Sequence, residues 1–261
     1  MRIVSMAQNV PGPVAVARAV TAGARAIKIE APWGDPLESL CQPWYVSLHS
    51  GVRVERLDLK TADGIAQLKS FLADADVFVA SHRPSALARL GLDAESLSQG
   101  FPQLRHVNIV GDVSNPEEPG HDLTYQARAG LLQTAMPLTL IADMVGAERA
   151  YAAINEVMHE PRATRIVGLY DALNDLAAPL RFGLTAVGGP LNGGNPAYAI
   201  YAAREGAVAV GALEPHFRAR LYEGLELPDG ADPAAVLATR TATEWEQWAA
   251  ARDLPLVALR R

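Results

Sequence analysis

The chain has 261 residues, 49% of them hydrophobic and 20% charged, enough for a full core in one large domain or two smaller ones. Its formal net charge of −6 argues against a nucleic-acid partner, which would call for a basic face. No apolar run has the length of a membrane span, and the mixed start from Met1 to Ala7 does not read as a signal peptide. The single Cys41 fits a reducing cytoplasm, and the six His lack ligand-like spacing, so no metal site is expected.

Arg2–Ala7 reads as a strand, Val14–Ala22 as a helix and Ala26–Glu30 as a second strand. The turn from Gln8 to Pro13 lies where such folds place a ligand, but it carries no dinucleotide fingerprint. Between Glu30 and Lys60 the Trp, Gly and Pro residues predict a long surface loop. Ala62–Ala73 reads as a helix, Asp76–Ser81 as a buried strand, Ala86–Leu90 as a short helix and Leu104–Val110 as another strand. This alternation predicts an α/β domain with a Rossmann-like parallel sheet covered on both faces.

An acidic, Pro-rich loop at 111–120 leads to His121, expected at the start of a helix running through Leu123, Ala127, Gly130 and Leu131. Asp143 precedes Ala147, Ala150, Tyr151, Ile154, Val157 and Met158, one apolar helical face that stops before Pro161. Asp143 is therefore expected at or near an N-cap, where backbone N–H groups favour its ionised form as a base or nucleophile. The Gly- and Pro-rich stretch 188–196 reads as a linker, dividing the chain into a large domain, 1–190, and a small α+β domain, 191–261. The small domain reads as strands Tyr198–Ala203 and Ala207–Leu213 around a turn, then helix Pro215–Gly224. Two helical stretches beyond Asp232 follow, the second Ala242–Arg252 with a Thr243–Glu246 capping box, and a strand-like end, Leu254–Leu259.

Several stretches, in this order, resemble the class III coenzyme A transferases and the α-methylacyl-CoA racemases that share their fold (the CaiB/BaiF group). They are Pro11-Gly12-Pro13, Gly23 to Glu30, Leu57 to Lys60, Ala73 to Val77, Arg83-Pro84, Leu90 to Leu92, Gly120-His121-Asp122 and Val208 to Pro215. The resemblance implies an acyl-CoA enzyme with Asp143 as the catalytic carboxylate. It also implies the racemase set of His121 and Asp143 on opposite faces of the substrate α-carbon, with Glu214 orienting the imidazole. CoA or an acyl-CoA thioester is the implied ligand, with Arg53, Arg56, Lys60, His82 and Arg83 as candidate phosphate contacts. The alternatives are a CoA transferase with Asp143 as nucleophile, or a non-catalytic relative that binds CoA weakly. His121 is the discriminating residue, because transferases commonly carry an aromatic residue there.

The sequence also departs from the family pattern. His49-Ser50-Gly51-Val52 stands where a basic loop is usual, Ala31-Pro32 where Arg-Pro is, and Arg83-Pro84-Ser85 where Arg-Pro-Gly is. Family members continue past the segment that ends here at Arg261, so the expectation is a homodimer that is not interlocked. Cytoplasmic residence, no membrane and no nucleic-acid partner complete the expectations.

Overall fold

The alternation of apolar strands and helices builds a six-stranded parallel sheet in the computed structural model, which describes residues 1–133, 135–161 and 163–260. Two units are distinguished, Met1–Ala177 and Ala178–Arg261. The first opens with β1 (Arg2–Ser5), α1 (Pro11–Thr21), β2 (Arg25–Glu30), α2 (Pro36–Leu40), α3 (Gln42–Leu48) and β3 (Val52–Arg56). It continues with α4 (Ala62–Ala73), β4 (Val77–Ala80), α5 (Pro84–Arg89), α6 (Ala94–Gly100) and β5 (Arg105–Val110). It ends with α7 (Asp122–Arg128), α8 (Ile141–Glu156), β6 (Thr164–Gly168) and α9 (Leu169–Leu176). The strand order is β3-β2-β1-β4-β5-β6, and every pairing is parallel.

Alternate residues of each central strand feed opposite faces, which is why these strands are rich in apolar residues. Ile3, Val77, Val79, Val107 and Ile109 pack with Ala15 and Val16 of α1 and with Ala150 and Ile154 of α8. Val4, Phe78 and Ala80 face the other way, onto Leu68 and Leu72 of α4, Leu87 of α5 and Leu97 of α6. The Pro-Gly-Pro turn has a steric reason. A Cβ on Gly12 would stand 2.0 Å from the Cβ of Ala7, so only glycine lets α1 start this close to the end of β1.

Three expectations are corrected. The stretch after Glu30 is not one loop: it holds α2, α3 and the edge strand β3, which runs beside β2 with Ala26 opposite Val52. Asp35 starts α2 by accepting the Leu37 N–H at 2.8 Å, and Pro36 occupies the first helical position, so the proline-rich composition marks a helix start. Asp143 is not the N-cap of α8. Leu140 is, and Asp143 is the third residue of the helix. No strand forms in the described residues just before it.

The second unit comprises α10 (Ala178–Arg181), β7 (Tyr198–Ala202), β8 (Ala207–Gly211), α11 (Pro215–Gly224), α12 (Ala234–Leu237), α13 (Ala242–Ala250) and β9 (Leu256–Ala258). Its antiparallel sheet, ordered β7-β8-β9, packs Val208, Val210 and Leu256 against Leu221, Tyr222 and Trp245. The capping box of α13 is Thr241 with Glu244, two residues earlier than expected. The Glu244 N–H donates to Thr241 Oγ1 at 3.2 Å, and the Thr241 N–H donates to Glu244 Oε2 at 2.7 Å. Among the described residues no helix is long and apolar enough to cross a membrane.

Beneath the edge of the large sheet lies a buried charge network. Lys28, 2% exposed, donates to Asp35, lies 3.2 Å from Glu30 Oε1 and meets His49 Nε2 at 3.0 Å. The Tyr45 hydroxyl donates to Glu30 Oε1 at 2.8 Å. Replacing Lys28 leaves the buried Asp35 without its cation and Glu30 with Arg56 alone, at 3.6 Å. Lys28→Met is therefore expected to cost about 3–5 kcal/mol, read as a lower midpoint in urea unfolding.

His106 of β5 is 5% exposed, stacks on Phe78 and has no hydrogen-bond partner at either ring nitrogen among the described residues. Burial pushes its pKa from 6.5 down to about 4, so the folded protein resists protonation there. The stability that neutral His106 preserves is complete above pH 6.5 and is lost as the pH falls toward 4. The difference amounts to about 3 kcal/mol. In urea unfolding at a series of pH values, His106→Leu should lack this part of the acid slope.

Candidate active site

Between β1 and β4 the strand order reverses, and the loops leaving their carboxyl ends diverge into a crevice. A cleft of about 710 Å³ occupies that place. Gln8 to Pro11 after β1, Ser81 to Arg83 after β4, and Gly111 after β5 form its floor and sides. Trp44 of α3, His121, Tyr125 and Asp143 line the remainder. The turn after β1 is pinned from two directions. The Gln8 N–H donates to Ser81 Oγ at 3.0 Å, and the Asn9 N–H reaches both oxygens of Asp35, at 3.1 and 3.2 Å. Asn9 takes a left-handed backbone, φ 60°, and the Asp35 carboxylate holds it there.

The structure brings His121 and Asp143 to this one cleft, from two helix starts. His121 is the N-cap of α7 and is exposed. Its backbone N–H donates to Thr124 Oγ1 at 3.0 Å, fixing the residue at the helix end. Gly120 before it allows close approach to Tyr125: a Cβ there would stand 2.5 Å from the Tyr125 ring and hydroxyl.

Asp143 sits in the first turn of α8, half-buried, but the helix N–H groups are already taken. Asp122, 4% exposed, accepts from the Ala142 N–H at 2.7 Å and from the Asp143 N–H at 3.1 Å through one oxygen. Its other oxygen accepts from Gln126 Nε2 at 2.6 Å. Burial, with the Asp122 charge beside it, pushes Asp143 from 3.8 up to about 7. The helix end therefore does not hold Asp143 fully ionised, as the sequence suggests; near neutrality its acid and carboxylate forms coexist. A carboxyl group that titrates near neutrality can both take and return a proton. Tyr125 faces the same region, where burial and then the Asp143 charge hold its hydroxyl proton more tightly.

Of the five candidate phosphate contacts, His82 and Arg83 line the cleft. Arg83 is exposed and forms no ion pair among the described residues. His82 is half-buried, its Nδ1 has no partner among the described residues, and burial lowers its pKa. His82 and Gln8 also line a second pocket of about 260 Å³, together with Lys60 and Trp33. Lys60 stands over the exposed Trp33 ring at 5.9 Å. Arg56 pairs with Glu38 at 2.5 Å and lies 3.6 Å from Glu30, while Arg53 pairs with Glu55 at 2.6 Å. Glu214 belongs to the second unit, exposed, as the N-cap of α11. Among the described residues no group of His, Cys, Asp and Glu is arranged to hold a metal ion.

The sequence pattern marks the turn beginning at Gln8 but does not single out Asp122, Tyr125 or Asp35 as parts of the site. Asp122 carried one available signal, its place beside His121. Its partners, however, lie twenty and twenty-one residues away, beyond any local pattern.

The sequence profile of CoA-transferase family III matches residues 1–164. Alpha-methylacyl-CoA racemase of Mus musculus is 28% identical over 288 residues, covering 95% of this chain and 73% of that protein. A Mycobacterium tuberculosis protein named "Probable fatty acyl-CoA transferase" is 25% identical over 201 residues, covering 69% of this chain and 51% of that protein. The match thus spans about half the length of the mycobacterial relative. A solved structure of a hypothetical protein from Mycobacterium tuberculosis is similar in fold, with a TM-score of 0.87 at 23% identity. That likeness covers 100% of this chain and 82% of the other.

The close approach at Gly120 generates a test of the cleft wall. Gly120→Ala is expected to displace Tyr125 and cost about 1–3 kcal/mol in urea unfolding. Gly100→Ala, where a Cβ meets nothing within 4 Å, serves as the control and should leave the midpoint nearly unchanged.

Proposed function

Because this chain belongs to CoA-transferase family III, we propose that it acts on acyl-CoA thioesters, with epimerisation of a 2-methylacyl-CoA as its reaction. The observation that carries the reading is the convergence of His121 and Asp143 on one cleft at the carboxyl edge of the sheet. A thioester acidifies its α-proton because the resulting electron pair delocalises onto the carbonyl oxygen as an enolate. One of the pair removes that proton, and the other delivers a proton to the opposite face of the same carbon. The C–H bond broken and the C–H bond formed balance, and the two groups finish with their protonation exchanged. Glu214 has the orienting role in this reading, on the strength of the resemblance around Gly211 to Pro215.

CoA phosphates would meet Arg83, Lys60 and His82 along the side of the cleft. Arg53 and Arg56 contribute only by exchanging a carboxylate for a phosphate, which makes CoA affinity modest. Homodimer formation and a cytoplasmic setting belong to the same reading and rest on the family resemblance and the single cysteine.

CoA transfer is the second reading, favoured by the name of the mycobacterial relative. There Asp143 attacks the thioester carbonyl, the C–S bond breaks, and CoA leaves as a thiolate, leaving the acyl group on Asp143 as a mixed anhydride. A nucleophile needs the ionised form, whereas a carboxyl group titrating near 7 is better matched to proton exchange.

The test incubates one epimer of a 2-methylacyl-CoA with the protein in deuterated water. Wild type should show α-deuteration and inversion, and His121→Ala should lose inversion by about a hundredfold or more. One-sided exchange through Asp143 should persist in that variant. Absence of both signals in wild type, with hydroxylamine trapping an Asp143 acyl species during CoA exchange, would establish transfer instead. No calorimetric binding of CoA at millimolar concentration would remove both readings.

A further inference from the structure

Two acidic side chains share the start of α8 and both border the cleft, Asp143 half-buried and Asp122 almost wholly buried. Asp122 comes from the preceding helix start and spends both oxygens inside the protein, on the Ala142 and Asp143 N–H groups and on Gln126. A first-turn aspartate ordinarily draws on those helix N–H groups itself, and they favour its anion. Here they are occupied by a neighbour that is already negative.

We propose that Asp122 is a positioning residue for Asp143, its buried carboxylate occupying the two helix N–H groups and placing a like charge beside the cleft-facing carboxyl. Asp122 touches no substrate in this account. It fixes the backbone that carries Asp143 and removes the solvation that would lock Asp143 as a carboxylate. Asp143 then keeps a proton to give near neutrality, in agreement with the two causes that raise its pKa, burial first and Asp122 second. The inference rests on the reading of Asp143 as the acid–base group of an acyl-CoA site.

The other charges around Asp143 do not supply the same effect. On α7 and the loop before it, Arg128 is held by Asp112 at 2.7 Å and lies 3.7 Å from Glu118. On α1, Arg18 pairs with Glu148 of α8 itself. On α9, Asp175 pairs with Arg149 at 2.6 Å, and Asp171 accepts the Val113 N–H at 2.9 Å. Across the cleft stand His82, Arg83, Cys41 and His121, and beside it Tyr125. Among these groups only Asp122 bonds to the Asp143 backbone in the described contacts.

The experiment follows the Asp143 side-chain carboxyl by carbon NMR titration in the ligand-free protein, assigned with Asp143→Asn. Wild type should titrate near 7. Asp122→Asn keeps an oxygen for the two N–H groups but removes the charge, and should lower the Asp143 midpoint by about one unit. Asp122→Ser, a neutral cap of different size, is the second arm and should lower it at least as far. An unchanged midpoint in either folded variant overturns the proposal, as does a wild-type Asp143 that titrates in the ordinary carboxylate range. With a 2-methylacyl-CoA, the acid limb of α-deuteration should move to lower pH by the same interval in Asp122→Asn. A shifted titration without any α-deuteration in wild type defeats the acyl-CoA reading and leaves the role of Asp122 standing. An exchange profile that stays in place in Asp122→Asn defeats that role and leaves the acyl-CoA reading standing.

Discussion

A parallel sheet buried on both faces leaves its carboxyl edge as the place where loops can gather, and this constraint organises the first unit. Ile3 and Val4, or Val77 and Phe78, are spent on opposite cores, so beyond their first residues β1, β4 and β5 offer no side chain to solvent. Chemistry is displaced to the turns that leave β1, β4 and β5. At the strand-order reversal those turns separate, and the cleft opens between Gln8 and His82. The two helix starts at His121 and Asp143 then have a common space to face, although twenty-two positions separate them in the chain.

Holding that space open requires polar groups to be buried, and two carboxylates on its walls are satisfied by specific partners. Asp35 accepts from Lys28, from the cap of α2 and from Asn9, so one carboxylate couples the sheet edge to the turn that floors the cleft. Its Lys28 partner is shared with Glu30, and Glu30 with Tyr45. The arrangement is expensive in desolvation and returns geometry more than stability. Asp122 plays the corresponding part on the opposite wall.

Much of the central sheet is legible in the sequence, and the reasons are physical. β1, β4 and β5 are short apolar runs bounded by turn residues, the pattern of strands buried on both faces. The edge strands β3 and β6 escape because one side meets solvent: Val52 to Arg56 alternates valine with charge, and Thr164-Arg165-Ile166 reads as nothing in particular. At α13 the sequence offers two overlapping capping boxes, Thr241–Glu244 and Thr243–Glu246. Burial of Ala242, Trp245 and Ala249 selects the first, which a count of residue types alone does not. His121 and Asp143 were found because each opens a helix. The charge state of Asp143 is not legible in the sequence, because its burial, the larger cause, and the Asp122 charge, the smaller one, both arise from tertiary packing.

The electrostatics of the cleft bear on which ligand it accepts. Coenzyme A brings several phosphate charges, yet Arg53 and Arg56 are engaged by Glu55 and by Glu38 with Glu30. Arg83 and Lys60 are the cations with no ion pair among the described residues on this side, and Lys60 already rests over Trp33. An ionised Asp143 would add another negative charge beside the incoming acyl group. Proton affinity at Asp143 is set by burial first and by the Asp122 carboxylate second. That carboxylate is itself held by three hydrogen bonds inside the protein. On the acyl-CoA reading, the fraction of Asp143 that is neutral near pH 7 would meet an electron-rich thioester without the repulsion that a carboxylate would add.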